Sequence, residues 1–113
     1  MSVAPIWRVE FDPAAARELR KLGHEARSAV QKYLRERIAT VEDPRRFGHP
    51  LLGDLKGLWR YRVGDYHIVV DIREKKILVM VITIGHRRNV HDLCRRFRRS
   101  HHIAAHSLAN GVC

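Results

Sequence analysis

The 113-residue sequence has little cysteine, no long apolar run and few acidic side chains. Its two cysteines, Cys94 and Cys113, lack the spacing of metal ligands or of a disulfide framework, and they are predicted to be free thiols in a reducing compartment. The N-terminus has no basic region followed by an apolar one, so no secretory signal is expected. The longest apolar run, Ile77 to Ile82, is too short to span a bilayer. The cytoplasm is the expected location, with no membrane partner.

Positive charge is what the sequence has in excess. It contains 22 Lys and Arg against 12 Asp and Glu, a formal net charge of +10. Residues 1–57 carry 11 basic and 8 acidic side chains, whereas residues 58–113 carry 11 and 4. Such an excess favours a polyanion or an acidic protein as partner, although a merely soluble basic surface has the same composition. A binding site is therefore expected in the second half.

The length and the hydrophobic fraction of 45% predict one folded domain rather than a disordered chain. We assign residues 1–95 to this domain. Residues 96–113 form a basic tail without clear periodicity, which is expected to be mobile. No internal repeat is visible.

The first half predicts a strand and two helices. Alternating apolar and polar residues predict a strand at Ile6–Phe11. Asp12-Pro13 then has the side-chain cap and first-turn proline of a helix that runs to about Leu22. Apolar residues at three- and four-residue steps predict a longer helix from Ala26 to Val41, ended by Asp43-Pro44. The two helices should form an antiparallel hairpin with its apolar stripes turned toward one sheet.

Three strands are predicted after a loop rich in glycine and proline, at Leu58–Val63, Tyr66–Ile72 and Ile77–Ile84. Their short connections favour antiparallel hairpins, and the apolar content of the last strand predicts a central position covered on both faces. A short helix is expected through Leu93 and Phe97. The predicted fold class is α+β: a four-stranded antiparallel sheet, in the order β-α-α-β-β-β, with an N-terminal α-hairpin packed on one face.

The first hairpin concentrates charge on one side of this sheet. A two-residue turn at Gly64-Asp65 sets Arg62 opposite His67 and puts Arg60 on the same face, while the aromatic and aliphatic side chains fall on the other face. Two cationic side chains directly across a strand pair repel, and a bound phosphate would reverse this effect. The alternative is an ordinary solvated sheet face.

A second basic cluster follows the last strand. Gly85 allows a sharp exit, after which His86, Arg87, Arg88 and His91 project from the strand end. Beside Arg60 and Arg62, this cluster would form a concave cationic site that can bind an RNA backbone. Cleavage by the neighbouring 2′-hydroxyl needs a proton acceptor, a cation for the developing charge and a proton donor, and histidine suits the proton steps near neutral pH.

These residues resemble the RelE/ParE superfamily of toxins from type II toxin–antitoxin systems. The resemblance covers about Trp7 to His91 and rests on the order of the elements together with Phe11-Asp12-Pro13-Ala14, Leu55-Lys56-Gly57, Trp59–Tyr66 and Ile84–Arg88. It implies a RelE-like fold of the microbial ribonuclease type. For the RelE branch it implies a ribosome-dependent endoribonuclease that inhibits translation by cutting mRNA in the ribosomal A site, without a metal or other cofactor, leaving a cyclic phosphate.

The resemblance also implies partners and residue roles. The expected partners are the ribosome with its mRNA and a cognate antitoxin, whose acidic or amphipathic C-terminal segment neutralises the toxin in a hetero-oligomer. By position, Arg60 and Arg62 match the residues that contact the scissile phosphate, and Arg87 matches the arginine that supports the transition state. His67 stands where the RelE branch usually has arginine and His91 where a tyrosine often ends the motif, and we expect both to be catalytic. The residues expected to bind RNA are Lys56, His86 and Arg88.

Two other functions remain open from the sequence. A ParE-like toxin would inhibit DNA gyrase by binding and would cut nothing, and a degenerate toxin would only occupy its antitoxin. Fold does not fix function between such branches. The arginines and histidines favour the nuclease, because a pure binding inhibitor has no chemical need of them.

Overall fold

The structure, a computed structural model, describes residues 5–86. The predicted C-terminal helix, the tail 96–113 and both cysteines lie outside this range. No helix within residues 5–86 is long and apolar enough to cross a membrane.

The first half of the chain forms strand β1 (Arg8–Phe11), helix α1 (Pro13–Lys21) and helix α2 (His24–Tyr33). The Asp12 carboxylate accepts a hydrogen bond from the Ala14 N–H at 3.3 Å and Pro13 occupies the first turn, so α1 begins where the sequence predicts. Both helices pack on one face of the sheet through Ala15, Leu19 and Val30. The predicted packing of the helices on one sheet face is thereby confirmed.

The second helix ends earlier than predicted. After Tyr33 it continues only as a π-helical turn, Leu34–Ile38, closed by the Ala39 N–H donating to the Leu34 carbonyl at 2.8 Å. The Thr40 carbonyl then accepts from the Trp7 N–H at 2.9 Å. The chain leaves the helix because this hydrogen bond joins it to the segment that enters β1. Such a contact between distant residues cannot be predicted from helical periodicity.

The sheet has five strands rather than the predicted four. The other strands are β2 (His49–Pro50), β3 (Trp59–Val63), β4 (Tyr66–Arg73) and β5 (Leu78–His86), in the order β1-β5-β4-β3-β2. All neighbouring pairs are antiparallel except β1 and β5, which run parallel. The α+β class is confirmed, and the wholly antiparallel sheet is corrected. A parallel pair requires a long crossover, which the two helices between β1 and the other strands provide.

The two faces of the sheet are covered unequally. The face under the helices holds the main core, whose largest fully buried side chains include Tyr61, Ile38 and Ile68. The opposite face has a small apolar cluster in which Leu55 of a loop packs against Ile82 of β5. β5 lies in the interior of the sheet, between β1 and β4, and is covered on both faces, as its apolar sequence predicts.

A β-bulge in β5 determines which residues at the C-terminal end of this strand face the helices and which face the opposite side of the sheet. Val69 pairs with Thr83 but Val70 pairs with Val81, so Ile82 is an extra residue between them. Because an extra residue reverses the alternation, Ile84 rather than Thr83 joins the core under the helices. The strand continues through Gly85 to His86 instead of leaving the sheet at Gly85 as predicted, and the bulge decides which face each residue at this end occupies.

Candidate functional site

Two arginines and a histidine lie together on the sheet face away from the helices, which we call the open face. The observed register pairs Arg62 with His67 and Arg60 with Val69, as the Gly64-Asp65 turn predicts. Directly opposite side chains in such a pair have Cβ atoms about 5 Å apart. On the next strand, Gly85 pairs with His67 and has no side chain to crowd the imidazole.

A second histidine, His49, joins this face. It pairs with Arg60 across β2 and β3, and its side chain is exposed. A Cβ on the preceding Gly48 would lie 3.1 Å from Cε1 of Tyr61, in the core, so Gly48 points to the helices and His49 to the open face. His49 could not be recognised from the sequence, since a two-residue strand has no periodicity. The one available signal was Pro50, which favours extended backbone in the residue before it.

The two arginines are available to an anion. Arg62 is exposed and Arg60 half-buried, and within residues 5–86 neither forms an ion pair. The one carboxylate on the same face of β4, Asp71, accepts from Arg73 Nε at 2.9 Å. Arg62 Nε makes only a long hydrogen bond, 3.4 Å, to the Gly64 carbonyl. The guanidinium groups therefore keep most of their donors for a ligand such as phosphate.

The segment beside β3 is held rigidly from the core side. The Tyr61 hydroxyl is buried and donates to the Pro44 carbonyl at 2.6 Å. Burial raises the pKa of Tyr61 far above its ordinary value of 10.0, so the hydroxyl remains a donor at any physiological pH. The Asp43 carboxylate accepts from the Arg45 N–H at 2.9 Å and closes the turn that follows. These bonds fix the position of β2 against β3.

A carboxylate anchors the far end of β5. β1 pairs with β5 only as far as Val81, which leaves the edge of the next residues uncovered by a strand. Glu18 of α1 fills this place: its Oε1 accepts from the Thr83 hydroxyl at 2.9 Å and from the Ile84 N–H at 3.1 Å. This contact could not be predicted from local sequence patterns, because it joins residues 66 positions apart.

The remaining predicted site residues divide into three groups. Lys56 is exposed and follows Leu55, which packs on Ile82, so it lies at the border of the open face. His86 pairs with Tyr66, and its ring meets the Tyr66 ring edge-on at 5.4 Å. Since Tyr66 packs against the helix-side core, His86 does not join the arginines. The residues outside the described range are Arg87, Arg88 and His91.

Within residues 5–86, no three His, Cys, Asp or Glu side chains are grouped as a metal site would require. The open face offers guanidinium and imidazole groups instead. Guanidinium groups can bind a phosphodiester, and an imidazole can accept or donate a proton near neutral pH.

Comparisons with known proteins agree on one family. The sequence model of the family described as "ParE toxin of type II toxin-antitoxin system, parDE" matches residues 9–91. The chain is 32% identical over 81 residues to Toxin RelE of Mycobacterium tuberculosis, covering 72% of this chain and 81% of that protein. It is 33% identical over 81 residues to the mRNA interferase toxin RelE of Escherichia coli, covering 70% and 81%.

Solved structures give the same answer. The RelBE2 toxin–antitoxin complex of M. tuberculosis matches with a TM-score of 0.67 and 26% identity, covering 76% of this chain and 97% of that chain. The isolated E. coli RelE toxin matches with a TM-score of 0.57 and 28% identity, covering 71% and 83%. The family model, the sequence relatives and the shared fold together establish that this chain belongs to the RelE/ParE superfamily of type II toxin–antitoxin toxins.

Proposed function

We propose that this protein is a ribosome-dependent mRNA endoribonuclease that arrests translation. The observation that carries the proposal is the pair Arg60 and Arg62 on the open face, without carboxylate partners among residues 5–86 and with an imidazole opposite Arg62. The similarity to the E. coli protein named mRNA interferase toxin RelE supports it.

The chemistry follows from the spacing of the arginines. Residues two apart on one strand lie about 7 Å from each other, so the two long arginine side chains can converge on the non-bridging oxygens of one phosphodiester. As the 2′-hydroxyl attacks phosphorus, charge grows on those oxygens, and fixed cations stabilise it. His67 lies beside this phosphate and is proposed to transfer a proton. Arg87 and His91 are proposed to complete the site on sequence grounds, with Lys56 and Arg88 binding flanking phosphates.

The proposal includes a protein that controls the toxin. Several solved relatives are RelB–RelE complexes, which supports a cognate antitoxin bound in a hetero-oligomer. The net charge of +10 favours an acidic segment in that partner. Since the proposed target is mRNA on the ribosome, the proposed site of action is the cytoplasm.

One observation favours a second candidate. The matching family model has the name of ParE toxins rather than RelE toxins. A ParE-like protein would stop DNA gyrase by binding. The arginines on the open face would then be a docking surface with no reaction to perform.

Parallel assays separate the two candidates. The purified protein is added to a reconstituted translation system and the mRNA ends are mapped, while the same preparation is added to a gyrase supercoiling assay. We expect cuts within codons in the A site and unchanged supercoiling. Intact mRNA with arrested supercoiling would replace the nuclease with the gyrase inhibitor.

A matched pair of variants ties any cleavage to the open face. Arg60→Ala/Arg62→Ala removes both phosphate ligands. Arg17→Ala/Arg20→Ala removes two exposed arginines from α1 and lowers the net charge equally. We expect cleavage to disappear only in the first variant, and equal loss in both would indicate an effect of charge rather than of this site.

A further inference from the structure

We propose that His49 is a second catalytic residue of this site, which transfers a proton on the side of the phosphate opposite His67. The inference rests on the proposed nuclease function and adds a group that the sequence did not indicate. β2 lies at the edge of the sheet, where His49 pairs with Arg60 of β3.

The two imidazoles flank the arginine pair diagonally. His49 lies beside Arg60 on the β2 side of β3, and His67 lies beside Arg62 on the β4 side. Strands are about 4.8 Å apart, so β2 and β4 are about 10 Å apart across β3. The pair His49–Arg60 and the pair Arg62–His67 are about 7 Å apart along β3. A phosphate held between the arginines therefore has one histidine at each side.

This arrangement matches what the reaction needs. In an in-line displacement the attacking and leaving oxygens are on opposite sides of phosphorus. One imidazole accepts the 2′-hydroxyl proton as that oxygen bonds to phosphorus, and the other, protonated, donates to the 5′ oxygen as its bond to phosphorus breaks. The products are a 2′,3′-cyclic phosphate and a 5′-hydroxyl, and the two proton transfers balance.

The backbone on either side of His49 is held in place, as the backbone of a catalytic group should be. The Gly48 N–H donates to the Arg45 carbonyl at 3.0 Å, and the Leu51 N–H donates to the Leu58 carbonyl at 3.0 Å, so the chain is fixed on both sides of His49. Of the four histidines within residues 5–86, His24 begins α2 and His86 meets Tyr66 on the helix side. His49 and His67 are the two on the open face.

The test is single-turnover cleavage of mRNA on programmed ribosomes by the full-length protein. We expect His49→Ala to cleave about 100-fold more slowly or worse, with the protein concentration for half-maximal rate changed less than about threefold. His49→Gln should be as slow, because an amide forms hydrogen bonds but does not transfer protons at neutral pH. Both variants should lose one limb of the pH–rate profile. His24→Ala, an exposed histidine outside the site, should cleave normally.

The outcomes distinguish this inference from the proposed function. If Arg60→Ala/Arg62→Ala is inactive while His49→Ala cleaves within threefold of the parent, the nuclease stands and the role of His49 is rejected. Recovery of activity in His49→Gln would also reject proton transfer. A parent protein that cuts no mRNA would remove the function and the inference together. Because His49 is exposed, equal urea midpoints for parent and variants are expected and exclude unfolding as the cause of lost activity.

Discussion

The two faces of one sheet in this toxin are built for different purposes. Under the helices, Tyr61, Ile68 and Val70 are completely buried. On the open face, residues of the same two strands, Arg62 and His67, keep polar side chains at least partly accessible. Alternation along a strand separates the two sets, because successive side chains point to opposite faces. The fold can therefore carry charge on one face without weakening the core on the other.

The largest effect is expected from removing the positive charges of the open face. Arg60→Ala/Arg62→Ala should lower the rate of mRNA cleavage about 1,000-fold or more, because the developing phosphorane charge loses its two fixed cations. The free energy of unfolding should change by no more than about 0.5 kcal/mol, since neither arginine has an ion pair within the described chain. Cleavage kinetics and urea titration measure the two effects. A comparable loss of stability would mean that the open face is structural.

Two adjacent residues on β4, one on each face of the sheet, should respond differently to substitution by alanine. Ile68→Ala should reduce the free energy of unfolding by about 2–5 kcal/mol, because it leaves a cavity in the main core. His67→Ala, one residue away on the open face, should reduce it by less than about 1 kcal/mol and should mainly slow cleavage. Urea unfolding of both variants tests the contrast. Equal destabilisation by the two substitutions would contradict the division between faces.

A smaller effect is expected at the anchored end of β5. Glu18→Ala should reduce the free energy of unfolding by about 1.5–3 kcal/mol, because the Thr83 hydroxyl and the Ile84 N–H lose a charged acceptor. Glu18→Gln should recover part of this, since its amide oxygen still accepts. Chemical denaturation measures the free energy of unfolding of the parent and the two variants. A Gln variant as unstable as the Ala variant would show that hydrogen bonding by Glu18 does not cause the loss of stability.

The smallest effect depends on pH. Tyr61→Phe should cost about 1 kcal/mol at pH 7 through loss of the bond to the Pro44 carbonyl. Burial raises the pKa of Tyr61, so above pH 10 the unfolded chain releases a proton that the folded protein retains, and the free energy of unfolding falls as pH rises. The Phe variant should show a shallower fall above pH 10. If the free energy of unfolding fell equally steeply with pH in parent and variant, Tyr61 would not be the cause of the fall.

Local patterns were sufficient to predict the hairpin and its charged face. The two-residue Gly64-Asp65 turn fixes the β3–β4 register, and alternation then assigns every side chain of both strands to a face. The start of α1 was predictable for a similar reason, because Asp12 and Pro13 act within one turn. In these elements each residue responds to neighbours a few positions away.

Features that depend on distant contacts could not be predicted. The strand that pairs with β1 is determined by the packing of the whole sheet, so the parallel pairing with β5 could not be predicted from the residues of β1. The bulge at Ile82 reverses the alternation of β5, and it decides that His86 meets Tyr66 rather than the arginines. His49 pairs with Arg60 on an edge strand, and the turn that precedes this strand is held by the hydrogen bond from the buried Tyr61 hydroxyl to the Pro44 carbonyl. The positions of these residues therefore depend on the assembly of the whole sheet.

The chemistry of the cut mRNA ends distinguishes attack by the 2′-hydroxyl from other routes of cleavage. mRNA from programmed ribosomes treated with the protein is recovered and its new ends are analysed by mass spectrometry. Attack by the 2′-hydroxyl at a phosphate held by Arg60 and Arg62 predicts an upstream fragment ending in a 2′,3′-cyclic phosphate and a downstream fragment beginning with a 5′-hydroxyl. Fragments ending in a 3′-hydroxyl and beginning with a 5′-phosphate would exclude attack by the 2′-hydroxyl, and mRNA that stays intact would exclude a nuclease.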